Sequence, residues 1–199
     1  MSTSGEALLM NGLLRTFIAI NIPRGKVREE ILKFQRTISQ IGFDLKLVEP
    51  ENIHITLRFL GDIRKKIIED LKTELNRIQF NPFEVTLEGI GVFPNYRRIN
   101  VIWVGIKGGN IGLVDLYSKI NHVLEAKGTP LDRRGLSPHI TVVRVRSGRN
   151  REILSKTVGE LKESTFGSFE VNSFHLMQSN LTPKGPIYQS LHEVTATLR

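Results

Sequence analysis

The chain contains no cysteine, and only 7% of its 199 residues are aromatic. The lack of cysteine excludes disulfide bridges, cysteine-ligated zinc, iron–sulfur clusters and a thiol nucleophile. Long hydrophobic runs are also missing: the longest strongly apolar stretch, residues 101–106, is far shorter than the roughly 18 residues that a membrane span needs. Acidic residues are the minority charge, because 20 Asp and Glu stand against 28 Lys and Arg and leave a net charge of +8. That charge predicts a polyanionic partner, with nucleic acid the first candidate and an anionic membrane surface the second, or it serves only solubility.

The rest of the composition is that of a globular protein, with 40% hydrophobic and 24% charged residues. The N-terminus lacks the basic region of a secretory signal, since the first Lys or Arg is Arg15. We expect residues 1–14 to form a loosely ordered extension and residues 15–199 to form a single bilobal domain. We also expect no membrane association and a cytoplasmic location.

The spacing of apolar residues predicts an alternation of strands and helices. Apolar residues three or four apart predict helices over residues 26–41, 65–78, 113–126 and 151–162. Short or alternating apolar runs predict strands over residues 15–21, 45–48, 53–60, 83–93, 99–106, 139–145, 169–177 and 187–194. Strands outnumber helices, and several neighbouring strands are joined by short polar turns. The pattern therefore favours an α+β fold with antiparallel sheets.

Two histidines share one sequence context, HITL at residues 54–57 and HITV at residues 139–142. Residues two apart in a strand face the same side, so His54 shares a face with Thr56 and His139 with Thr141. The repeat indicates two similar lobes that face each other. The remaining histidines lack this context and are assigned structural or surface roles: His122, His175 and His192.

The repeated motif fits chemistry at a phosphate group. An imidazole can hold or release a proton near neutral pH because its ordinary pKa is about 6.5. Two such units across a cleft can hold a tetrahedral phosphate with their threonine hydroxyls, while one histidine activates water and the other protonates the leaving oxygen. Such acid–base help is worth roughly 10²–10⁴ in rate. The sequence has no Walker lysine loop, no His-Glu-x-x-His motif and no nucleophile elbow, so no metal or cofactor is predicted.

Two arginines are alternatives for a further contact with phosphate. Arg58 lies four residues after His54, so a continuous strand places both on the same face. Arg144 lies five residues after His139 and has the opposite parity, so it reaches the site only if the strand bulges near Val143. A guanidinium can bind phosphate through two parallel hydrogen bonds, which suits either residue.

Together with the segments around them, the two motifs resemble the two-histidine phosphoesterases. Within that superfamily the chain closely resembles the RNA 2′,3′-cyclic phosphodiesterases, also named 2′-5′ RNA ligases. The resemblance runs from about Arg15 to the C-terminus. It rests on five segments in order: RTFIAI at 15–20, PENIHITLRFLG at 50–61, GVFPN at 91–95, SPHITVVRV at 137–145 and QSNLTPKGPIY at 178–188.

The resemblance implies a bilobal α+β fold in which two antiparallel sheets form a V-shaped central cleft with helices on the outside. It implies hydrolysis of RNA 2′,3′-cyclic phosphate ends to 2′-phosphomonoesters, without metal or cofactor. His54 then corresponds to the acid that protonates the departing 3′ oxygen, and His139 to the base that activates water. Thr56 and Thr141 hold the phosphate, with Arg144 as the further contact. The alternation of faces along a strand instead favours Arg58 as this further contact with phosphate.

The partners expected from the resemblance are RNA with a 2′,3′-cyclic phosphate end, or tRNA halves that the family name describes as joined through a 2′-5′ linkage. We expect the chain to act as a monomer. Two other functions stay open at this point, namely a non-catalytic binder of RNA terminal phosphates and a phosphodiesterase for a small cyclic nucleotide. The basic charge fits the RNA-end binder equally well, whereas the paired histidines fit it less well.

Overall fold

The computed structural model describes residues 12–129, 135–147, 151–183 and 185–197. The helices in these ranges are α1 (Lys26–Ser39), α2 (Lys65–Leu75), α3 (Asn110–Ala126) and α4 (Arg151–Glu160), with a 3-10 turn over Pro50–Asn52. The strands are β1 (Leu13–Asn21), β2 (Leu45–Leu47), β3 (His54–Arg64), β4 (Phe83–Asn95), β5 (Arg98–Gly108), β6 (Ile140–Val145), β7 (Thr165–Val171), β8 (Ser173–Thr182) and β9 (Gly185–Thr195). None of the helices in the described part of the chain is long and apolar enough to cross a membrane.

The strands form two antiparallel sheets, which confirms the predicted fold class. Sheet A has the order β3-β1-β8-β9, and sheet B has the order β2-β6-β5-β4-β7. Helices α2 and α3 pack on sheet A, while α1 and α4 pack on sheet B. Most buried hydrophobic residues of the two sheets and the helices belong to one continuous hydrophobic core.

Strand β1 shows how sheet A has two covered faces. Ile18 and Ile20 belong to the main hydrophobic core. Phe17 and Ala19 point the other way, where they form a small second cluster with Met177. Because both faces of this strand are covered, its sequence is an almost unbroken apolar run rather than an alternation.

Sheet A is strongly curled, so that its two edge strands come together. The side-chain amide of Asn52, just before β3, donates a hydrogen bond to the carbonyl oxygen of Pro186 in β9 at 3.0 Å. These strands are separated by two others in the sheet order. The curl therefore brings side chains of β9 over the start of β3, where one of the repeated motifs lies.

Two predicted elements differ from the structure. Strand β1 begins at Leu13 rather than at Arg15, because Leu13 pairs with Arg64; the other residues of the predicted extension up to residue 11 lie outside the described ranges. The single predicted strand over residues 169–177 is wrong, because β7 ends in sheet B and β8 begins in sheet A, with Asn172 between them. Buried residues alternate on both sides of Asn172, so periodicity could not show the change of sheet.

Candidate active site

The two motif histidines hold the same position in their lobes. His54 is the first residue of β3, and His139 directly precedes β6. The Nδ1–H of His54 donates to the carbonyl oxygen of Asn52 at 2.7 Å, and that of His139 donates to the carbonyl oxygen of Ser137 at 2.8 Å. A carbonyl oxygen only accepts, so Nδ1 carries the proton in both rings. Nε2 is consequently the atom of each ring that can take up or release a proton.

Both imidazoles also contact aromatic side chains. The ring pairs are Phe17–His54 at 5.1 Å, Tyr188–His54 at 5.2 Å, Phe93–His139 at 5.0 Å and Trp103–His139 at 5.9 Å between centroids. Tyr188 lies on β9 and reaches His54 because sheet A curls. These contacts add to the Nδ1 hydrogen bonds in restricting how each imidazole can turn.

Strand β6 bulges directly after its threonine. The register of β6 against β5 shifts by one residue at Val142. The extra residue reverses the alternation of faces, so Val142 and Val143 are both buried and Arg144 shares a face with Thr141. The positive charge of Arg144 is close enough to His54 to lower the pKa of that imidazole. The bulge that Arg144 needs in order to reach the site is therefore present.

Strand β3 has a matching irregularity after its own threonine. Its register against β1 shifts at Leu57, and Leu57 and Arg58 are both buried, with Arg58 only 6% exposed. Phe59 rather than Arg58 turns to the face of Phe17, whose ring centroid lies 6.2 Å away. Arg58 therefore does not lie on the face of His54 that strand parity predicted, because β3 is not a regular strand at Leu57.

The threonines complete the face that the histidines present. Thr56 and Thr141 are both half-buried. The Thr56 hydroxyl lies 3.0 Å from Nε2 of His54 and can donate to the lone pair of that nitrogen. A hydroxyl rotates easily, so in the presence of a phosphate it can donate to a phosphate oxygen instead.

The electrostatics of His54 connect the two lobes. The pKa of His54 is lowered to about 4, chiefly by burial and also by the charges of His139 and Arg144, while the hydrogen bond to the Asn52 carbonyl acts in the opposite direction. Burial also raises the pKa of Tyr188, while the charge of Arg144 opposes that change. Strands β3 and β6 also contact each other directly, and Lys46 of β2 approaches Gly185 of β9, so the two motifs lie close together between the sheets.

Sequence reasoning missed several residues of this cleft. Tyr188 stands in the last segment of the resemblance, but its contact with His54 depends on the curl of the sheet. Lys46 pairs directly with Arg144 and therefore shares its face. Its Nζ approaches Gly185 of β9 so closely that a side chain at Gly185 would collide with it. The alternation of Leu45, Lys46 and Leu47 in a short strand was the available signal for Lys46.

The arrangement can bind a tetrahedral anion and transfer protons at it. It offers two imidazole Nε2 atoms, two hydroxyls and the Arg144 guanidinium around one cleft. Within the described ranges, no three His, Asp or Glu side chains come together in a way that could hold a metal ion. The imidazoles, hydroxyls and guanidinium are of the kinds that serve acid–base chemistry on a phosphate.

Comparison with known proteins supports the two-lobed architecture. The model of the family described as LigT like Phosphoesterase matches residues 22–103 and 107–188. The first range contains His54 and the second contains His139, so each matched segment includes one copy of the repeated motif.

Relatives and solved structures match nearly the whole chain. The chain is 39% identical over 181 residues to the RNA 2′,3′-cyclic phosphodiesterase of Methanocaldococcus jannaschii, covering 90% of this chain and 99% of that protein. It is 36% identical over 166 residues to the protein of the same name from Aeropyrum pernix, covering 83% and 94%. The crystal structure of TT0787 of Thermus thermophilus superposes with a TM-score of 0.74 at 28% identity, over 92% of this chain and 97% of that one. By its family match, its relatives and its paired motifs, the chain belongs to the LigT-like phosphoesterase family.

Proposed function

We propose that this protein hydrolyses RNA 2′,3′-cyclic phosphate ends to 2′-phosphomonoesters. The observation that carries the proposal is the pair of Nδ1–carbonyl hydrogen bonds, 2.7 Å at His54 and 2.8 Å at His139, which directs both Nε2 atoms to proton transfer in one cleft. The names of the relatives from Methanocaldococcus jannaschii and Aeropyrum pernix support RNA cyclic phosphate as the substrate.

In this reaction a water oxygen forms a bond to phosphorus while the bond from phosphorus to the 3′ oxygen breaks. His139 Nε2 accepts the proton of the attacking water, and His54 Nε2 gives a proton to the departing 3′ oxygen. Thr56 and Thr141 donate hydrogen bonds to the non-bridging oxygens, and Arg144 stabilises the negative charge on them. The products are a 3′ hydroxyl and a 2′-phosphate, and the two histidines exchange protonation states.

His54 must be protonated to act as the acid, although its pKa is about 4 without substrate. The cyclic phosphate carries a negative charge, which counteracts the positive charge of Arg144 near His54. Substrate binding therefore raises the pKa of His54, and the imidazole takes up a proton together with the substrate. Calorimetry in buffers of different ionisation enthalpy measures this uptake when a cyclic phosphate binds without reacting in His139→Ala. Binding without proton uptake would instead make neutral His54 the base.

Two further features favour RNA as the substrate. The chain has a net charge of +8, which attracts a polyanion. Phe59 is 56% exposed on the cleft face and offers a flat apolar surface beside the phosphate site on which a nucleobase can stack.

Both motifs lie in one chain, so one copy is sufficient for the site. We propose that the protein acts as a monomer without metal or cofactor.

Product analysis on an RNA that ends in a 2′,3′-cyclic phosphate tests the proposal. We expect many turnovers per protein molecule, a 2′-phosphate as the product and unchanged rates in EDTA. Binding without turnover would make the protein a binder of RNA ends. Equal efficiency on a small cyclic nucleotide, with a shallow dependence on salt, would make it a phosphodiesterase for small substrates. Loss of activity in EDTA would contradict the metal-free mechanism.

The same site is also suited to joining tRNA halves. If the 5′ hydroxyl of a second RNA replaces water as the attacking group, the bond to the 3′ oxygen breaks as before and a 2′-5′ linkage forms. Arg144 and Phe59 are exposed at the cleft, which leaves room for a second strand. Incubation of halves bearing a 2′,3′-cyclic phosphate and a 5′ hydroxyl, followed by mapping of the linkage, tests this reaction; hydrolysis alone would contradict it.

A further inference from the structure

Gln35 is a polar residue buried under sheet B. It lies on the sheet-facing side of α1 and is 3% exposed. Its Nε2 donates hydrogen bonds to the carbonyl oxygen of Val142 at 2.7 Å and to that of Val48 at 2.8 Å. A side-chain amide nitrogen has two hydrogens, so this nitrogen is fully used by the two carbonyls.

The carbonyl of Val142 belongs to the bulge that turns Arg144 into the cleft. A bulge interrupts the regular hydrogen bonding of the sheet at the extra residue. Here the Val142 carbonyl accepts the Gln35 amide and also the Val48 N–H at 3.0 Å. Both of its lone pairs are therefore satisfied, although the residue is completely buried. Without Gln35, one buried hydrogen bond of the bulge would be lost in an apolar core.

We propose that Gln35 is a positioning residue that sets the phosphate-binding geometry by holding the Val142 bulge. If β6 relaxed to a regular strand, Arg144 would turn to the core side and its contact with phosphate would be lost. Gln35 itself belongs to a helix on the core side of the sheet and does not line the cleft. This proposal rests on the proposed function, because the role of Arg144 in binding phosphate is part of that function.

The sequence around Gln35 agrees with a specific role at this position. The other buried residues on the same face of α1 are all apolar: Val27, Ile31, Phe34 and Ile38. An apolar side chain of similar length would fill the same volume but would donate no hydrogen bond to the two carbonyl oxygens. The amide serves the carbonyls of Val48 and Val142, where β2 ends and β6 bulges.

A double-mutant cycle with Gln35→Met and Arg144→Ala tests the proposal. We expect Gln35→Met to lower kcat/KM for a cyclic-phosphate RNA about tenfold, mainly through KM, because a charge-assisted contact is lost. In the Arg144→Ala background the same change should lower kcat/KM less than about twofold, because the residue through which it acts is absent. An equal factor in both backgrounds would show a general structural role and overturn the proposal.

Ile38→Val is the matched control, because Ile38 is buried on the same helix face and is apolar. It should lower the Tm slightly and leave KM unchanged. A crystal structure of Gln35→Met tests the bulge without any assay, and an unchanged bulge and Arg144 would overturn the proposal even if activity fell. If Gln35→Met does not fold, Gln35→Asn keeps an amide on a stem one methylene shorter, which weakens the two hydrogen bonds, and it should likewise raise KM more in the wild-type than in the Arg144→Ala background. Inactivity of the wild-type chain would contradict the proposed function, while the crystal structure would still decide the role of Gln35 in the bulge.

Discussion

The candidate site consists of two half-sites that have the same backbone pattern and the same histidine and threonine, and that differ in the third side chain on the cleft face. The β3 half-site contains His54, Thr56 and Phe59, and the β6 half-site contains His139, Thr141 and Arg144. In both, the histidine donates from Nδ1 to a carbonyl two residues earlier, and a bulge follows the threonine.

The bulge turns the fifth residue after each histidine into the cleft. In the β3 half-site this residue is Phe59, an exposed aromatic ring beside Phe17. In the β6 half-site it is Arg144, an exposed cation. The same type of bulge thus places an apolar surface on one side of the cleft and a positive charge on the other. In the proposed mechanism, both halves take part in proton transfer, whereas the contacts with base and phosphate are divided between them.

The largest effect expected is the loss of either histidine. We expect His54→Ala and His139→Ala each to lower kcat by about 10²–10⁴, because each removes one of the two proton transfers. Steady-state kinetics on a cyclic-phosphate RNA measures the effect, and circular dichroism verifies the fold. A variant that retained full activity would show that the half-sites do not share the proton transfers.

The next effect separates Arg144 from Phe59. Arg144→Ala should lower kcat/KM for every cyclic phosphate, with or without a base. The expected loss of transition-state stabilisation is about 1.5–3 kcal/mol, because a charge-assisted contact with phosphate is removed. Phe59→Ala should reduce the stabilisation measured by kcat/KM by about 1–3 kcal/mol for a nucleotide substrate, because base stacking is lost. It should leave kcat/KM unchanged for a cyclic phosphate that lacks a base. If both variants lost activity in parallel on both substrates, the division between the half-sites would be contradicted.

A smaller effect concerns the dependence of stability on pH. The pKa of His54 is about 4 in the folded protein, below the ordinary value of 6.5, so the unfolded chain binds more protons between these values. His54 therefore reduces the free energy of unfolding as the pH falls from 7 to 5, by about 1–2 kcal/mol for a half-buried group.

The difference in Tm between wild type and His54→Asn, followed from pH 7 to pH 5, isolates this contribution. Burial also lowers the pKa of His175 and His192, but these residues are present in both proteins and cancel in the difference. A difference that did not change with pH would show that His54 keeps an ordinary pKa.

The smallest effect expected concerns the residues that precede the histidines. The Asn52 side chain joins β3 to β9 through Pro186, so Asn52→Ala should lower stability by about 1 kcal/mol and reduce kcat/KM a few-fold. At the equivalent position, Ser137 contacts His139 through its main chain, which Ser137→Ala leaves in place. Thermal unfolding and kinetics of this matched pair show whether the β3 half-site alone depends on the curl of its sheet.

Local pattern was sufficient to predict much of the fold and of the candidate site. The spacing of His54 from Thr56 and of His139 from Thr141 placed each pair on one face, because alternation is a local property of an extended chain. The apolar spacing also located the helices to within a few residues at each end. It did not reveal the step from β7 to β8 at Asn172, because buried residues alternate in both sheets.

Which of Arg58 and Arg144 shares a face with the motif residues was decided only by the tertiary structure. Both are arginines that follow an equivalent motif, and parity alone favours Arg58, which is buried on the other face. Parity fails where a bulge inserts a residue, and a buried bulge persists only if its carbonyl finds donors. For β6 one donor is Gln35, which is 107 residues away in the sequence from Val142. The amino-acid sequence by itself indicated the paired histidines and threonines of the candidate site, and long-range hydrogen bonding decided that Arg144 rather than Arg58 shares their face.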